Sequence, residues 1–490
     1  MDKLIPDEIR RKVLAEITPT KEELHVQSDA IASLTDALVQ KAKEKGFQYS
    51  FVEPQGSTGK KQTQLRNAAD IDLFVGLNPT DHTDILEKPQ KERTLAIDKL
   101  MTRLVDDWFV PAIIGLEVSD VKKAYSQHPY LSLQVGGLEV DILGCFDIDS
   151  LTLSEKGPYT AVDRTVHHTK YVADNLTKKT REHARILKSF VRACHAYGDR
   201  CAVGRMGITG VSLELLAIQA DDLDSAFNSL ESLDERPIDP KRRSLYELRK
   251  NQAFRDDYVY LIDPTDLSRN IASSFTPRSF KCVKYRIGLL RNTSEENLIE
   301  MLLESPVPDI EPSEWLKQHM TTIEFKSDKS THYTILRDKL YRASRKVQSV
   351  LSNERTGEPR FGMSIMEVYF EEDNYAVGFV VEHPEISKRY TRRGPPSDLK
   401  EASEEFLKKH PQAQEREGYY WSTETREWKS ARTMIEDLFL NRPIKGLAQT
   451  KQSSTSRKVL NVIEHYIFPI EPDLHERITR VKDGVKEKTG

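Results

Sequence analysis

Two aspartates, Asp70 and Asp72, stand two residues apart in the alternating run Asp70-Ile71-Asp72-Leu73-Phe74-Val75. On a strand that spacing points both carboxylates to one face, with Ile71 and Leu73 on the other. Asp141 lies in a second apolar run, Leu138-Glu139-Val140-Asp141-Ile142-Leu143. A carboxylate in mid-strand among apolar neighbours is costly unless something charged meets it. Three carboxylates converging on one face suit Mg²⁺, a hard cation wanting oxygen ligands, and two such ions can clamp an in-line phosphoryl transfer. Upstream, Gly56-Ser57 precedes Lys60 and Lys61. A tight turn offering backbone N–H groups, a hydroxyl and ammonium groups suits a polyphosphate.

These residues need a scaffold, and the chain around them reads as mixed helix and strand. Thr20 and Glu23 have capping-box spacing before an amphipathic run from Glu22 to Lys45, stopped by Gly46. Phe47 to Glu53 alternates as a strand and leads into the polar loop Gln55 to Ala69. Residues 90 to 108 read as a helix, and Pro129 to Gln134 and Leu138 to Leu143 as strands joined at Gly136-Gly137. Helices follow at Lys178 to Tyr197 and Val211 to Ala220, then a charged stretch, 222 to 257, broken by Pro237 and Pro240. Tyr258 to Ile262 reads as a short strand.

Past residue 320 the order is strand (Thr321 to Phe325), helix (Leu336 to Leu351), strands (Met363 to Phe370, Ala376 to Val381), helix (Asp398 to Lys408) and a strand near Tyr419-Tyr420-Trp421. That βαββαβ order is the split-βαβ layout common in small RNA-binding modules. Tyr419, Tyr420, Trp421 and Trp428 read mainly as core by alternation, and Gln449 to Ser456 as a flexible loop.

With 73 basic and 77 acidic residues among 490, the net charge is −4. The mean hydropathy is negative. Hydrophobic residues, at 38%, are too many for a disordered chain, and no apolar run is long enough to span a bilayer. Met1 to Asp7 has no stretch of signal-peptide length, so export is not expected. Cys145, Cys194, Cys201 and Cys282 have neither zinc-knuckle spacing nor the density of a disulfide framework, which fits idle thiols in a reducing cytoplasm. His167-His168 lacks a third ligand at zinc spacing. Local charge is less neutral than the total: from Lys170 to Arg200 there are eight Lys/Arg against three Asp/Glu, and Arg181, Arg185, Lys188 and Arg192 fall along one helix face.

Gly-Ser followed by Asp-x-Asp and a later strand aspartate resembles the nucleotidyltransferase superfamily of polymerase-beta-like fold. Ala161-Val162-Asp163-Arg164-Thr165-Val166-His167-His168 resembles a segment of the archaeal-type, class I CCA-adding enzymes, the tRNA nucleotidyltransferases. So do Asp263-Pro264-Thr265-Asp266-Leu267-Ser268-Arg269-Asn270, Tyr390-Thr391-Arg392-Arg393-Gly394-Pro395 and Gly418-Tyr419-Tyr420-Trp421. The resemblance implies that Asp70, Asp72 and Asp141 are catalytic and hold two Mg²⁺ ions. It implies that Gly56, Ser57, Thr165, His167, Lys188 and Tyr197 meet the nucleotide, and that Arg269 reads the edge of the incoming base. This loop is one residue longer than the family's, so Lys60 and Lys61 both stand for the phosphate contact. Arg392 and Arg393 would touch tRNA.

The expected architecture is α+β and multidomain: a nucleotidyltransferase head (1–150), a helical neck (151–257), a body (258–320 and 431–490) and a split-βαβ tail (321–430). The resemblance implies template-independent addition of C, C and A to the 3′ end of tRNA in the cytoplasm, with CTP and ATP as substrates and no membrane partner. A homodimer is a possible assembly. A poly(A) polymerase-like or oligonucleotide-making enzyme with another acceptor is the rival, and a silent RNA-binding protein a more distant one.

Overall fold

The computed structural model describes residues 3–125, 128–451 and 454–482. The chain divides into two units, Met1–Cys201 with Met206–Ser305, and Ala202–Arg205 with Pro306–Gly490. The expected boundaries at 150 and 257 therefore fall inside the first unit.

The first unit is built on a five-stranded sheet ordered β1-β2-β5-β4-β3, with β1 Phe51–Gln55, β2 Asp70–Leu77, β3 Ser119–Tyr125, β4 Pro129–Val135 and β5 Leu138–Phe146. β2 and β5 are parallel, and the other pairs antiparallel. The helix Lys21–Lys45 covers the sheet because Ala30, Leu34, Leu38 and Ala42 fall on one face. Its capping box at Thr20 and Glu23 forms, and Gly46 ends it in the left-handed region at φ 76°. Two expectations shift here. Phe47 to Ser50 are not strand: Phe47 serves the helix exit, its N–H donating to the Ala42 carbonyl, and its ring stacks on buried Trp108 at 5.1 Å. β3 was not expected at all, since Ser-Asp-Val-Lys-Lys-Ala-Tyr is an exposed edge strand without apolar alternation. The helix Gln90–Leu104 runs on through one π turn, Val105–Phe109, which turns Trp108 into the core.

The rest of this unit is helical. Asp163–Asn175, Lys178–Ala193 and Gly210–Gln219 are the helices that matter for the site. Lys178–Ala193 stops short of Tyr197, which pairs instead in a single bridge with Ile208. Tyr258 to Ile262 forms no strand. Val259 to Ile262 are buried, but they make only isolated bridges, Ile238 with Leu261 and Ile262 with Asn270. All four cysteines are buried.

The second unit holds a four-stranded antiparallel sheet ordered β12-β6-β8-β7: β6 Met320–Ser327, β7 Ser364–Glu371, β8 Asn374–Val381 and β12 Leu447–Thr450. With helices Tyr333–Leu351 and Ala431–Leu440 this is a split βαβ, but not from the expected elements. The helix Lys400–Lys409 and the strand at Tyr419 belong to a separate three-stranded sheet, β10-β11-β9, with β9 Arg389–Pro396, β10 Gln414–Arg416 and β11 Tyr419–Thr425. That sheet is inserted between β8 and the second helix, so residues 431–450 complete the module expected to end at 430. Gln449 and Thr450 are strand and Ser454 to Ser456 helix, not loop; residues 452–453 lie outside the described residues. Tyr419, Tyr420 and Trp421 are half-exposed on the small sheet, not core; Trp428 packs partly buried against the unit's core. Among the described residues no helix is long and apolar enough to cross a membrane.

Candidate active site

The parallel pairing of β2 with β5 sets Asp72 directly opposite Asp141, and Asp70 opposite Glu139. Strands in a sheet lie about 4.8 Å apart, so side chains at facing positions are neighbours. The alternate residues Ile71, Leu73, Val140 and Ile142 are buried on the other face, which leaves the carboxylates no choice of side. Burial, then Asp141 and Asp70, pushes the Asp72 carboxyl up to about 7, with Lys61 offsetting part of the effect. Asp141 is pushed up by burial, partly offset by a hydrogen bond with Ser132, and Asp70 by burial and then Glu139. The Asp72 side chain has no hydrogen-bond or ion-pair partner among the described residues. A half-buried, crowded, unpartnered carboxylate beside two others fits a divalent oxygen-seeking cation. As the side chains stand, no three His, Cys, Asp or Glu among the described residues close into a ligand set.

Gly56 follows β1 at φ 66°, and a Cβ there would come within 2.7 Å of Asp72 Oδ2. Glycine is thus required twice, for the turn and for the approach to the carboxylate. The turn is tied down beside β2: the Thr58 hydroxyl donates to the Asp70 carbonyl at 2.9 Å, and the Thr63 N–H to the Ser57 carbonyl at 3.0 Å. Lys60 and Lys61 part company here. Lys60 is exposed and pairs with Glu53 at 2.9 Å, whereas Lys61 turns inward to Glu214 at 2.8 Å. Of the two, Lys61 is the one whose charge reaches the Asp72 carboxylate.

Glu214 was missed in the sequence. It lies on Gly210–Gln219, 1% exposed, and binds Lys61, Lys188 (2.7 Å) and the Thr63 hydroxyl. Burial pushes its carboxyl up, but the ammonium groups of Lys188 and Lys61 outweigh that and hold it down at about 2. Lys188 also donates to the Thr63 carbonyl at 3.1 Å. Tyr197 joins this cluster from beyond the helix end: a Cβ on Gly210 would lie 2.6 Å from the Tyr197 hydroxyl and 3.5 Å from Lys188 Nζ. The basic stripe has a structural task as well. Arg181 donates to the Lys61 carbonyl (3.0 Å), and Arg185 to those of Gln64 (3.2 Å) and Gln62 (2.7 Å), so one helix face grips the backbone of the lengthened loop.

A third cluster forms where the helix Asp163–Asn175 meets residues 263–270. The Asp163 carboxylate accepts from the N–H groups of Phe146 (2.9 Å) and Thr160 (2.7 Å), fixing this helix to the end of β5. His167 Nε2 lies 3.0 Å from the Ile148 carbonyl oxygen, and Thr165, two residues earlier on the helix, is half-buried. His168 is hydrogen-bonded to buried Asp263; Arg269 Nη1 lies 3.2 Å from His168 Nε2 and 3.8 Å from Asp263. Arg164 pairs with Asp266 at 2.7 Å. In the other unit, Arg392 and Arg393 fall on opposite faces of β9: Arg392 stacks over Phe406 beside His410, and Arg393 lies 4.8 Å over the Tyr419 ring.

A mixed sheet with a parallel central pair bearing facing carboxylates, and a glycine turn leaning on one of them, is the arrangement expected of a nucleotidyltransferase head. Comparison with known proteins narrows the class. A family model described as tRNA nucleotidyltransferase, second domain, matches residues 182–298, and one described as CCA-adding enzyme, C-terminal domain, matches 318–457. The CCA-adding enzyme of Methanocaldococcus jannaschii is 27% identical over 451 residues, covering 88% of this chain and 90% of that one. That of Methanothermobacter thermautotrophicus is 27% identical over 443 residues, 88% of each chain. That of Thermoplasma acidophilum is 32% identical over 180 residues, 37% of this chain and 38% of that one. The chain belongs to the archaeal-type CCA-adding enzymes, the class I tRNA nucleotidyltransferases.

Proposed function

We propose that this chain adds C, C and A in turn to the 3′ end of tRNA, taking CTP and ATP, releasing pyrophosphate and acting in the cytoplasm. The observation that carries the reading is the facing pair Asp72 and Asp141, with Asp72 unpartnered, in a chain similar to CCA-adding enzymes over most of its length. Family membership implies nucleotide substrates and a divalent metal; the finer proposal is two Mg²⁺ ions held by Asp70, Asp72 and Asp141. When bound, such ions neutralise charge on the reacting phosphate and ease deprotonation of the attacking hydroxyl. Gly56 and Ser57 present backbone at the turn that leans on Asp72, where the nucleotide's phosphates would lie. Lys188 and Tyr197 would meet the triphosphate, Lys188 being held in place beforehand by Glu214 and Thr63, so that little side-chain entropy is lost on binding. Thr165 and His167 would border the same phosphates from the helix that Asp163 fixes to the end of β5. The test is incorporation of labelled CTP or ATP into tRNA lacking its 3′ end. Metal-dependent labelling of that RNA, and none of a poly(A) acceptor, is expected; preference for poly(A) would favour a polymerase with another acceptor.

Asp72 predicts how metal use varies with pH. With its carboxyl at about 7, the group is protonated at lower pH and a cation must displace the proton. The Mg²⁺ concentration for half-maximal incorporation should rise about tenfold per pH unit below 7 and level off above it. Metal titrations at several pH values read this directly; a half-saturation independent of pH would remove Asp72 from the metal site.

Arg269 is proposed to read the base edge, its guanidinium braced by Asp263 and His168. A planar fork of N–H donors can bridge two acceptors on a base, which an ammonium cannot imitate. Arg269→Lys should raise misincorporation of UTP or GTP relative to CTP and ATP, by an amount worth about 1–3 kcal/mol. Competition assays with paired nucleotides measure it, and equal losses for all four would make the arginine structural.

A further inference from the structure

The helix Tyr333–Leu351 buries Leu336, Leu340, Val347 and Leu351 against the second unit's sheet and turns Arg342, Arg345 and Lys346 to solvent. Those three fall within little more than one helical turn. They do not stand on a flat face. With Arg205, Asp338 and Tyr341 they line a groove of about 370 Å³. Arg205 reaches it from the short segment Ala202–Arg205, and one fully buried carboxylate holds that segment and the helix in place. Glu367 accepts from the Gly204 N–H at 3.0 Å and is hydrogen-bonded to the Tyr341 hydroxyl.

The charge in the groove is one-sided. Its one acid, Asp338, is already met by Arg337 at 3.1 Å and Arg205 at 3.8 Å. The side chains of Arg342 and Lys346 make no ion pair among the described residues, and Arg345 lies over the Tyr341 ring at 5.9 Å. Holding several cations side by side with one shared acid costs self-repulsion unless an anion relieves it. A row of cations about a helical turn long fits consecutive negative charges along a polymer better than one compact anion.

We propose that this groove binds the phosphodiester backbone of the RNA acceptor, at a place separate from the Arg392 and Arg393 strand. The identity of the RNA rests on the proposed function; the polyanion chemistry does not. Phosphate contacts of this kind position RNA without reading sequence, and they make binding salt-dependent.

The test uses the full chain and a tRNA lacking its 3′ end, with binding read by fluorescence anisotropy across a salt series, without nucleotide or divalent metal. R342A/R345A/K346A should weaken binding roughly tenfold or more and flatten the log–log salt dependence by about two to three units. The charge-preserving R342K/R345K/K346R should keep the parent's salt slope. At constant ionic strength, excess pyrophosphate should leave the RNA bound. Unchanged affinity and slope in the alanine variant would overturn the proposal. So would a loss shared by the charge-preserving variant, which would mark a packing defect, or displacement by pyrophosphate, which would mark a small-anion pocket. RNA binding that follows the expected pattern in a protein that incorporates no nucleotide would contradict the proposed function and leave this site standing.

Discussion

Asp72→Asn should abolish incorporation of both CTP and ATP, by a thousandfold or more, while making the metal-free protein more stable. The first effect follows from removing a ligand charge that neutralises the reacting phosphates, several kcal/mol of transition-state stabilisation. The second follows from Asp72's surroundings. Its carboxyl is pushed from the ordinary value of 3.8 up to about 7 by burial, Asp141 and Asp70. A raised acid is ionised at a cost in the folded state wherever the unfolded chain would be ionised freely. That cost is absent below about pH 4, grows through the interval to about 7, and is complete above it. Because the residue is half-buried, solvent screening trims it to about 1–3 kcal/mol. Thermal unfolding in chelator should therefore show the variant ahead of the parent at pH 8 and level with it near pH 4. Lower stability at pH 8, or retained activity, would contradict the site.

The second large effect lies at Glu214. Glu214→Gln should cost about 3–5 kcal/mol of unfolding free energy at pH 7, because it leaves the buried ammonium groups of Lys61 and Lys188 without their counter-charge. The pH dependence has the opposite sign to that of Asp72. Glu214 is held at about 2 against an ordinary 4.5, so its contribution is fully present above about pH 4.5 and fades as pH falls toward 2. The variant's deficit should shrink over that acid interval. Urea unfolding at pH 7 and at pH 3 checks both points. A cost under about 1 kcal/mol at pH 7 would mean the lysines find other partners or lose their protons. Nucleotide affinity should fall along with stability, since Lys188 loses the carboxylate that orients it.

These two residues also mark where the sequence was legible and where it was not. Asp70, Asp72 and Asp141 could be read because a charged residue at every second position of an apolar run has one face to occupy. The register that sets Asp72 against Asp141 could not, because β2 and β5 lie nearly seventy residues apart and parallel pairing leaves no local turn signal. Glu139, facing Asp70, repeats the Asp-x-Asp spacing two residues before Asp141 and could have been found by it. Glu214 carried a signal too: one carboxylate amid Val211, Leu213, Leu215 and Leu216 implies a buried partner. Which partner, only the fold decides. The basic stripe was legible as a stripe, but its grip on the carbonyls of Lys61, Gln62, Thr63 and Gln64 depends on a loop whose path has no periodicity.

In the second unit the βαββαβ order was correct as an architecture and wrong in its members. The inserted sheet β10-β11-β9 supplied a helix and a strand of the right kind in the right order, while the true closing elements, Ala431–Leu440 and Leu447–Thr450, came later. Sequence order cannot separate a module from an insertion that copies its pattern. The split of Arg392 from Arg393 was available from strand periodicity alone, since adjacent residues face opposite ways.

The measurement that bears most directly on the whole account is 3′-end sequencing of the RNA product. Purified protein, a tRNA ending just before its 3′ terminal triplet, Mg²⁺ and all four nucleoside triphosphates together should yield ends extended by C, C and A, and then no further. Tails of repeated A or U, extension that ignores the tRNA body, or no extension by an intact, folded protein would contradict it.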